Sequence, residues 1–158
     1  MKKIARKKVL FVCLGNACRS PMAEAIALRD AADVIEASSA GLTPLGRVEP
    51  MTKRTLENNA YRSDGLDSKA VVPSAFDATD IVINMSGWPR ELFFENPAKV
   101  EDWRVEDPYG ADAALYQRIF EDIRQRVSEL ATRLRNGNGS EVIPKNIKQK
   151  GSKGRRRR

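Results

Sequence analysis

The sequence predicts an α/β domain, with a four-stranded parallel sheet sandwiched between helices in a three-layer arrangement. Short β-favouring runs alternate with amphipathic stretches, which makes successive strands parallel and puts helices on both faces. Two of those runs, Val9-Leu10-Phe11-Val12 and Ile81-Val82-Ile83, are apolar at consecutive positions, as suits strands covered on both sides. A chain of 158 residues is long enough for one such domain with a sizeable core.

In chain order, residues 1–8 read as a basic arm, 9–135 as the folded domain and 136–158 as a basic tail. Val9 to Cys13 is the first strand. A helix from Ser20 to about Asp30 follows, with Ser20 as N-cap, Pro21 at the first helical position, and Met22, Ala25, Ile26 and, at the margin, Leu28 toward the sheet. Val34 to Ser38 is the second strand, ending at the turn Ser39-Ala40-Gly41. Pro50 opens a helix to about Asn58 with Met51 and Leu56 inward, and Ala75-Phe76-Asp77 is a short turn. Asp80 to Met85 is the third strand. A helix from about Trp88 to Phe94 carries Leu92-Phe93-Phe94 as core, and Val100 to Val105 holds the last strand with Trp103. From Asp112 to Leu134 the residues Leu115, Ile119, Phe120, Ile123, Val127, Leu130 and Leu134 recur every three or four positions, giving a long helix with one apolar face.

The chemistry concentrates between the first strand and the first helix, in Cys13-Leu14-Gly15-Asn16-Ala17-Cys18-Arg19-Ser20-Pro21. A turn entering a helix directs free backbone N–H groups at one point, and the helix dipole adds to their field, so the turn attracts an anion. Arg19 adds a planar fork matched to two phosphate oxygens. The field that holds phosphate also favours a thiolate on Cys13, and a thiolate beneath a phosphoryl group is a nucleophile in line with phosphorus. A site of this kind belongs at the carboxyl ends of the strands of an open parallel sheet, where Cys13 falls.

This segment resembles the signature loop of the low-molecular-weight protein tyrosine phosphatases, and the likeness covers roughly residues 8 to 135. It implies a flavodoxin-like fold and a phosphocysteine intermediate on Cys13, with Arg19 binding phosphate. Leu14, Gly15, Asn16, Ala17, Cys18 and Ser20 would line the phosphate, Asn16 holding the loop shape and Ser20 bonding the Cys13 thiolate. Ser39 of Ser-Ala-Gly would support Asn16. The family carries its general acid in an Asp-Pro-Tyr or Asp-Pro-Phe motif, here Asp107-Pro108-Tyr109, which makes Asp107 the acid, with Tyr109 as one wall of the pocket. Asp102, Glu106 and Asp112 lack the following Pro-Tyr and read as solvated charges. The resemblance implies no metal and no cofactor, because Arg19 and the loop amides already neutralise phosphate. A phosphoprotein is the implied substrate, and Cys18 is implied as a partner for a reversible disulfide with Cys13.

The chain departs from the family in several places. Thr43-Pro44-Leu45-Gly46 offers no second aromatic wall, and Ala17 replaces the isoleucine common there or the threonine of the similar protein-arginine phosphatases. The histidine that members often carry near Ser68 to Val71 is missing, as is histidine everywhere in the chain. Phosphotyrosine is the default substrate and phosphoarginine the alternative. Arsenate reductases share the loop and fold, but the thioredoxin-coupled kind needs two further cysteines after the third strand, and residues 84–109 contain none.

The formal charge of +7 is unevenly distributed. Five lysines and arginines precede Val9 and eight follow Pro144; without these thirteen, 15 positive residues face 21 negative ones. The tail suits an electrostatic contact with nucleic acid or an anionic surface, so a non-catalytic phosphate- or nucleic-acid-binding protein is the reading from a different class. No apolar run approaches the roughly 18 residues of a membrane span, and two cysteines in one loop are not a secreted disulfide framework. A cytoplasmic protein is expected.

Overall fold

The computed structural model describes residues 5–137, so Met1 to Ile4 of the basic arm and the tail beyond Gly137 lie outside it. Its elements are β1 (Lys7–Cys13), α1 (Arg19–Asp30), β2 (Ile35–Gly41), α2 (Pro50–Asn58), α3 (Pro73–Asp77), β3 (Ile81–Asn84), α4 (Arg90–Phe93), β4 (Val100–Asp102) and α5 (Ala113–Arg135). The four strands form one sheet in the order β2-β1-β3-β4, every pair parallel. This is the α/β layer expected from the alternating pattern.

Side chains alternate across a strand, and β1 feeds two cores. Val9, Phe11 and Cys13 join Ile81, Ile83, Met22, Ile26, Leu56 and the apolar stripe of α5 on one face. Leu10 and Val12 join Val82, Phe76, Phe94 and Val100 on the other. The first face is covered by α1, α2 and α5, and the second by α3 and the segment around α4. Tyr116, Ile119, Phe120, Ile123, Val127, Leu130 and Leu134 of α5 are buried, and each such large apolar side chain contributes about 1.5–3 kcal/mol when fully taken out of water. Asp112 caps α5, its carboxylate accepting from Leu115 N at 3.0 Å, so it is a helix cap as well as a surface charge.

Several boundaries differ from expectation for physical reasons. β1 starts at Lys7, two residues inside the expected arm. Lys7 and Lys8 pair in register with Ile35 and Glu36, and Lys8 N donates to Asp80 Oδ2 at 2.8 Å. A strand ladder is built from backbone groups, so surface lysines at its entry do not stop it. β2 runs on through Ser39-Ala40 to Gly41, which read as a turn. Leu28 is exposed on the outer side of α1. The helix expected from Trp88 is a single turn, because Pro89 disfavours helical backbone at the residue before it and Phe94 returns to extended backbone. Of its three large residues only Phe94 is buried, stacked on Phe76; Leu92 is 73% exposed, and exposed Phe93 meets Trp88 edge-on. Asp102 is an ion-pair partner of buried Arg90 at 3.3 Å and accepts from Asn84, so it is a structural group of β4.

Among the described residues, no helix is long and apolar enough to cross a membrane.

Ile123 is fully buried at the centre of the α5 stripe. Ile123→Ala is expected to lower unfolding stability by about 2–5 kcal/mol, read in a urea titration as a lower midpoint with an unchanged slope.

Candidate active site

β1 and β2 end side by side at Cys13 and Gly41, and the loop Leu14–Cys18 then carries the chain into α1. Its shape depends on Asn16, which is fully buried and adopts a left-handed φ of 49°. That conformation is uncommon outside glycine, with asparagine among the residues that tolerate it best. The loop passes so close to β2 that a Cβ on Gly41 would lie 2.9 Å from both Cβ and N of Asn16 and from Leu14 O. Only glycine fits there.

The loop's carbonyls are turned outward and bonded. Cys13 O accepts from Leu42 N, Leu14 O from Thr43 N, Gly15 O from Leu45 N and Ser68 Oγ, and Ala17 O from Glu49 N and Thr52 Oγ1, all between 2.8 and 3.1 Å. The N–H groups of Leu14 through Cys18 have no acceptor among the described residues. Oriented N–H groups of this kind, at the start of a 12-residue helix, make an anion-binding concavity.

Cys13 is buried at the base of this loop. Ser20 Oγ lies 3.0 Å from its Sγ, and Ser20 N donates to the same sulfur at 3.4 Å. Ser20 is therefore not the helix cap the local sequence suggests. The helix starts at Arg19 with Cys18 as a cap that makes no side-chain hydrogen bond, and Ser20 is drawn to tertiary partners instead. Asn16 Nδ2 donates to Ser20 Oγ at 2.7 Å and to Ser39 Oγ at 3.0 Å, and Lys69 N donates to Asn16 Oδ1 at 2.8 Å.

Arg19 is 6% exposed. Its Nη1 donates to Met85 O at 2.6 Å and Val105 O at 3.2 Å, which ties the side chain to the ends of β3 and β4. The Nε/Nη2 edge stays available: Nε is buried without a partner, and Nη2 is 3.5 Å from Asp107 Oδ2. Asp107 stands half exposed at the same mouth, its Oδ1 accepting from Tyr109 N at 3.1 Å. Cys13, Arg19 and Asp107, far apart in sequence, thus meet at one end of the sheet. Tyr109 is 57% exposed, and Leu45, half exposed, lies against Gly15.

Cys18 differs from its neighbours in the loop. Its Sγ is 3.3 Å from the Tyr116 hydroxyl of α5, away from the loop's concave side. Burial pushes the Cys18 thiol up, against hydrogen bonds with Tyr116 and Thr52. Its contribution to an anion site is its backbone N–H, and both cysteines are free thiols. Sequence reasoning missed Glu24. Its carboxylate accepts from Ser39 Oγ at 2.5 Å, and burial pushes that carboxyl up. The carbonyls of Met85 and Val105 that aim Arg19 were also not readable, since no side chain marks them.

A thiol, a guanidinium and a carboxyl thus gather around a loop of unbonded N–H groups at one end of a parallel α/β sheet. Residues 8–139 match the family model described as low molecular weight phosphotyrosine protein phosphatase, and the chain belongs to that family. It is 31% identical to a glutaredoxin arsenate reductase of Synechocystis sp. over 136 residues, which cover 81% of this chain and 98% of the relative. Among solved structures, it resembles an arsenate reductase in the phosphate binding state, with 32% identity, a TM-score of 0.74, and coverage of 81% of this chain and 98% of the other. The YwlE arginine phosphatase from Geobacillus stearothermophilus shares the fold, with 24% identity, a TM-score of 0.75, and coverage of 83% and 94%.

Gly41→Ala is expected to push the added methyl into Asn16 and Leu14. It should destabilise the protein by about 1–3 kcal/mol, seen as a lower thermal midpoint, whereas Gly65→Ala, with open space around its Cβ position, should cost only about 1 kcal/mol for its positive φ.

Proposed function

We propose that the protein is a protein tyrosine phosphatase that hydrolyses phosphomonoesters through a phosphocysteine on Cys13. The observation that carries this reading is the pairing of a buried cysteine beneath unbonded loop amides with Arg19, whose Nε/Nη2 edge remains open beside Asp107. In the first step the Cys13 sulfur attacks phosphorus, the S–P bond forms, and the P–O bond to the substrate breaks. The leaving oxygen takes the proton of the Asp107 carboxyl. In the second step the Asp107 carboxylate takes a proton from water as its oxygen attacks phosphorus. The S–P bond breaks, and inorganic phosphate and the Cys13 thiolate are released. Arg19 and the N–H groups of Leu14 to Cys18 hold the equatorial oxygens through both steps, where charge develops. Ser20 donates to the sulfur as it becomes the leaving group.

Tyr109, exposed beside Asp107, would offer one aromatic wall to a flat substrate side chain, which favours phosphotyrosine over a small phosphate ester. Phosphoarginine is the alternative within the same chemistry. The basic tail as a contact for nucleic acid or an anionic surface is a separate proposal, as is a cytoplasmic location.

Arsenate reduction is the second reading, favoured by the names of the similar curated proteins. Two features weigh against it. The chain has two cysteines in total, with none in residues 84–109, and Cys18 is engaged with Tyr116. The two electrons needed to release arsenite from a Cys13 adduct would have no further pair of thiols in residues 84–109 to come from.

Purified reduced protein is expected to hydrolyse p-nitrophenyl phosphate in EDTA. Cys13→Ser should abolish turnover, and Asp107→Asn should slow it by about 10²–10⁴-fold. Arsenate reduction coupled to thioredoxin or glutaredoxin should stay at background. Absence of hydrolysis by the wild type would remove the phosphatase reading, and efficient arsenate turnover would replace it.

A further inference from the structure

We infer that Asn84 is a positioning residue for Arg19: its carboxamide oxygen fixes the peptide unit between Met85 and Ser86, whose carbonyl holds the guanidinium in place. The inference deepens the proposed chemistry and rests on Arg19 as the group that binds the phosphoryl oxygens.

A trans peptide is planar, so its C=O and N–H point in opposite directions and turn together. In the unit that follows β3 both ends are engaged. The Met85 carbonyl accepts from Arg19 Nη1 at 2.6 Å, and the Ser86 N–H donates to Asn84 Oδ1 at 3.1 Å. The contact with Asn84 therefore sets where the carbonyl faces. Met85 O is the shorter of the two contacts of Nη1, the other being Val105 O at 3.2 Å. A guanidinium is a rigid plane, so holding Nη1 also sets the Nε/Nη2 edge beside Asp107. The ladder with β1 ends one peptide earlier, where Met85 N donates to Val12 O at 2.7 Å. Beyond it, among the described residues, neither end of the Met85–Ser86 unit bonds to backbone, and the Asn84 side chain supplies the missing partner.

Asn84 is itself held from several sides. It is 3% exposed, and the Ser86 N–H, which only donates, identifies the end of the amide that faces it as the oxygen. Nδ2 then gives its two hydrogens to Trp88 O at 3.0 Å and Asp102 Oδ1 at 2.9 Å. Asp102 stands opposite Asn84 in the β3–β4 ladder and is ion-paired to buried Arg90. The Ser86 hydroxyl donates to the same Oδ1 at 2.6 Å and accepts from Trp88 N at 3.1 Å. The turn from Met85 to Trp88, with Gly87 at a φ of 82°, is thus wrapped around one side chain. An apolar strand residue in its place would leave the carbonyl placed only by the arginine it is meant to hold.

The test compares Asn84→Val with Asn84→Thr in the full chain. The two replacements have the same shape, and both suit a strand. Only threonine keeps an oxygen that accepts from the N–H two residues on. Both lose the amide's pair of donors, so both should lower the thermal midpoint. The first readout is the exchange between the Nη1 and Nη2 protons of Arg19 in isotope-labelled, ligand-free protein, identified by their absence from Arg19→Lys. The second is a calorimetric titration with inorganic phosphate. Asn84→Val is expected to speed the exchange and to weaken phosphate binding about tenfold, the size of one hydrogen bond to a charged group. Asn84→Thr should bring both readouts within about threefold of the wild type, because a hydroxyl makes the same turn more weakly. A merely structural role would move both readouts with the thermal midpoint, and equally in the two variants. Equal effects in the two variants, or wild-type exchange and affinity in Asn84→Val, would overturn the proposal. A wild type that binds no phosphate would instead remove the reading of Arg19 as the anion-binding group, while the exchange of its protons, measured without ligand, still decides whether Asn84 holds it. Should Asn84→Val not fold, Asn84→Ala and Asn84→Ser form a second pair with the same expectation and the same refutation.

Discussion

The carboxamide of Asn16 ties the site together. It is fully buried, holds a left-handed backbone and engages three segments: Ser20 of α1, Ser39 of β2 and the backbone of Lys69. A non-glycine residue in that conformation costs about 1–2 kcal/mol, and each satisfied hydrogen bond contributes about 0.5–1.5 kcal/mol. Three such bonds offset the strain, and in return the loop is locked with its carbonyls outward and its N–H groups inward. Without that lock the loop would relax toward ordinary turns, and the inward face of N–H groups would be lost.

Much of this was legible in the sequence because the informative residues are contiguous. The run from Cys13 to Pro21 states a strand end, an anion turn and a helix start in nine positions, and the stripe of α5 repeats often enough to set its face. Other features depended on partners distant in sequence. Ser20 satisfied every local rule for a helix cap, but a sulfur and an amide from the same loop outbid the helix end for its hydroxyl. Lys7 and Lys8 read as an arm because charge dominates composition, while their backbones were free to pair with β2. Leu92 and Phe93 read as core because apolar clusters usually are; Pro89 shortened the helix that would have turned them inward. Glu24 was invisible as a site residue because its partner, Ser39, lies on another element.

The family relation sets two chemistries side by side. Phosphate and arsenate are tetrahedral oxyanions of the same charge type, and one ring of amides with one guanidinium suits either. The difference between hydrolysing an ester and reducing an oxyanion lies in what meets the cysteine adduct afterwards, water activated by a carboxylate or a second thiol. In this chain the carboxylate Asp107 stands 3.5 Å from Arg19, and the second thiol is packed against a tyrosine hydroxyl. That contrast is why the proposed activity follows the family name and departs from the names of several relatives.

Arg19 is aimed by main-chain oxygens near the ends of β3 and β4, Cys13 by β1, and the Asn16 network by β2. All four strands therefore report to the same few ångströms, and the sheet serves as a gauge for the mouth. β4 is a three-residue edge strand, and edges of this length are where local opening begins. Fraying there would release the Val105 oxygen and leave the guanidinium aimed by Met85 O alone while the core stayed intact. Competence at this site would thus fade on warming ahead of the fold itself, making the guanidinium the protein's earliest thermometer.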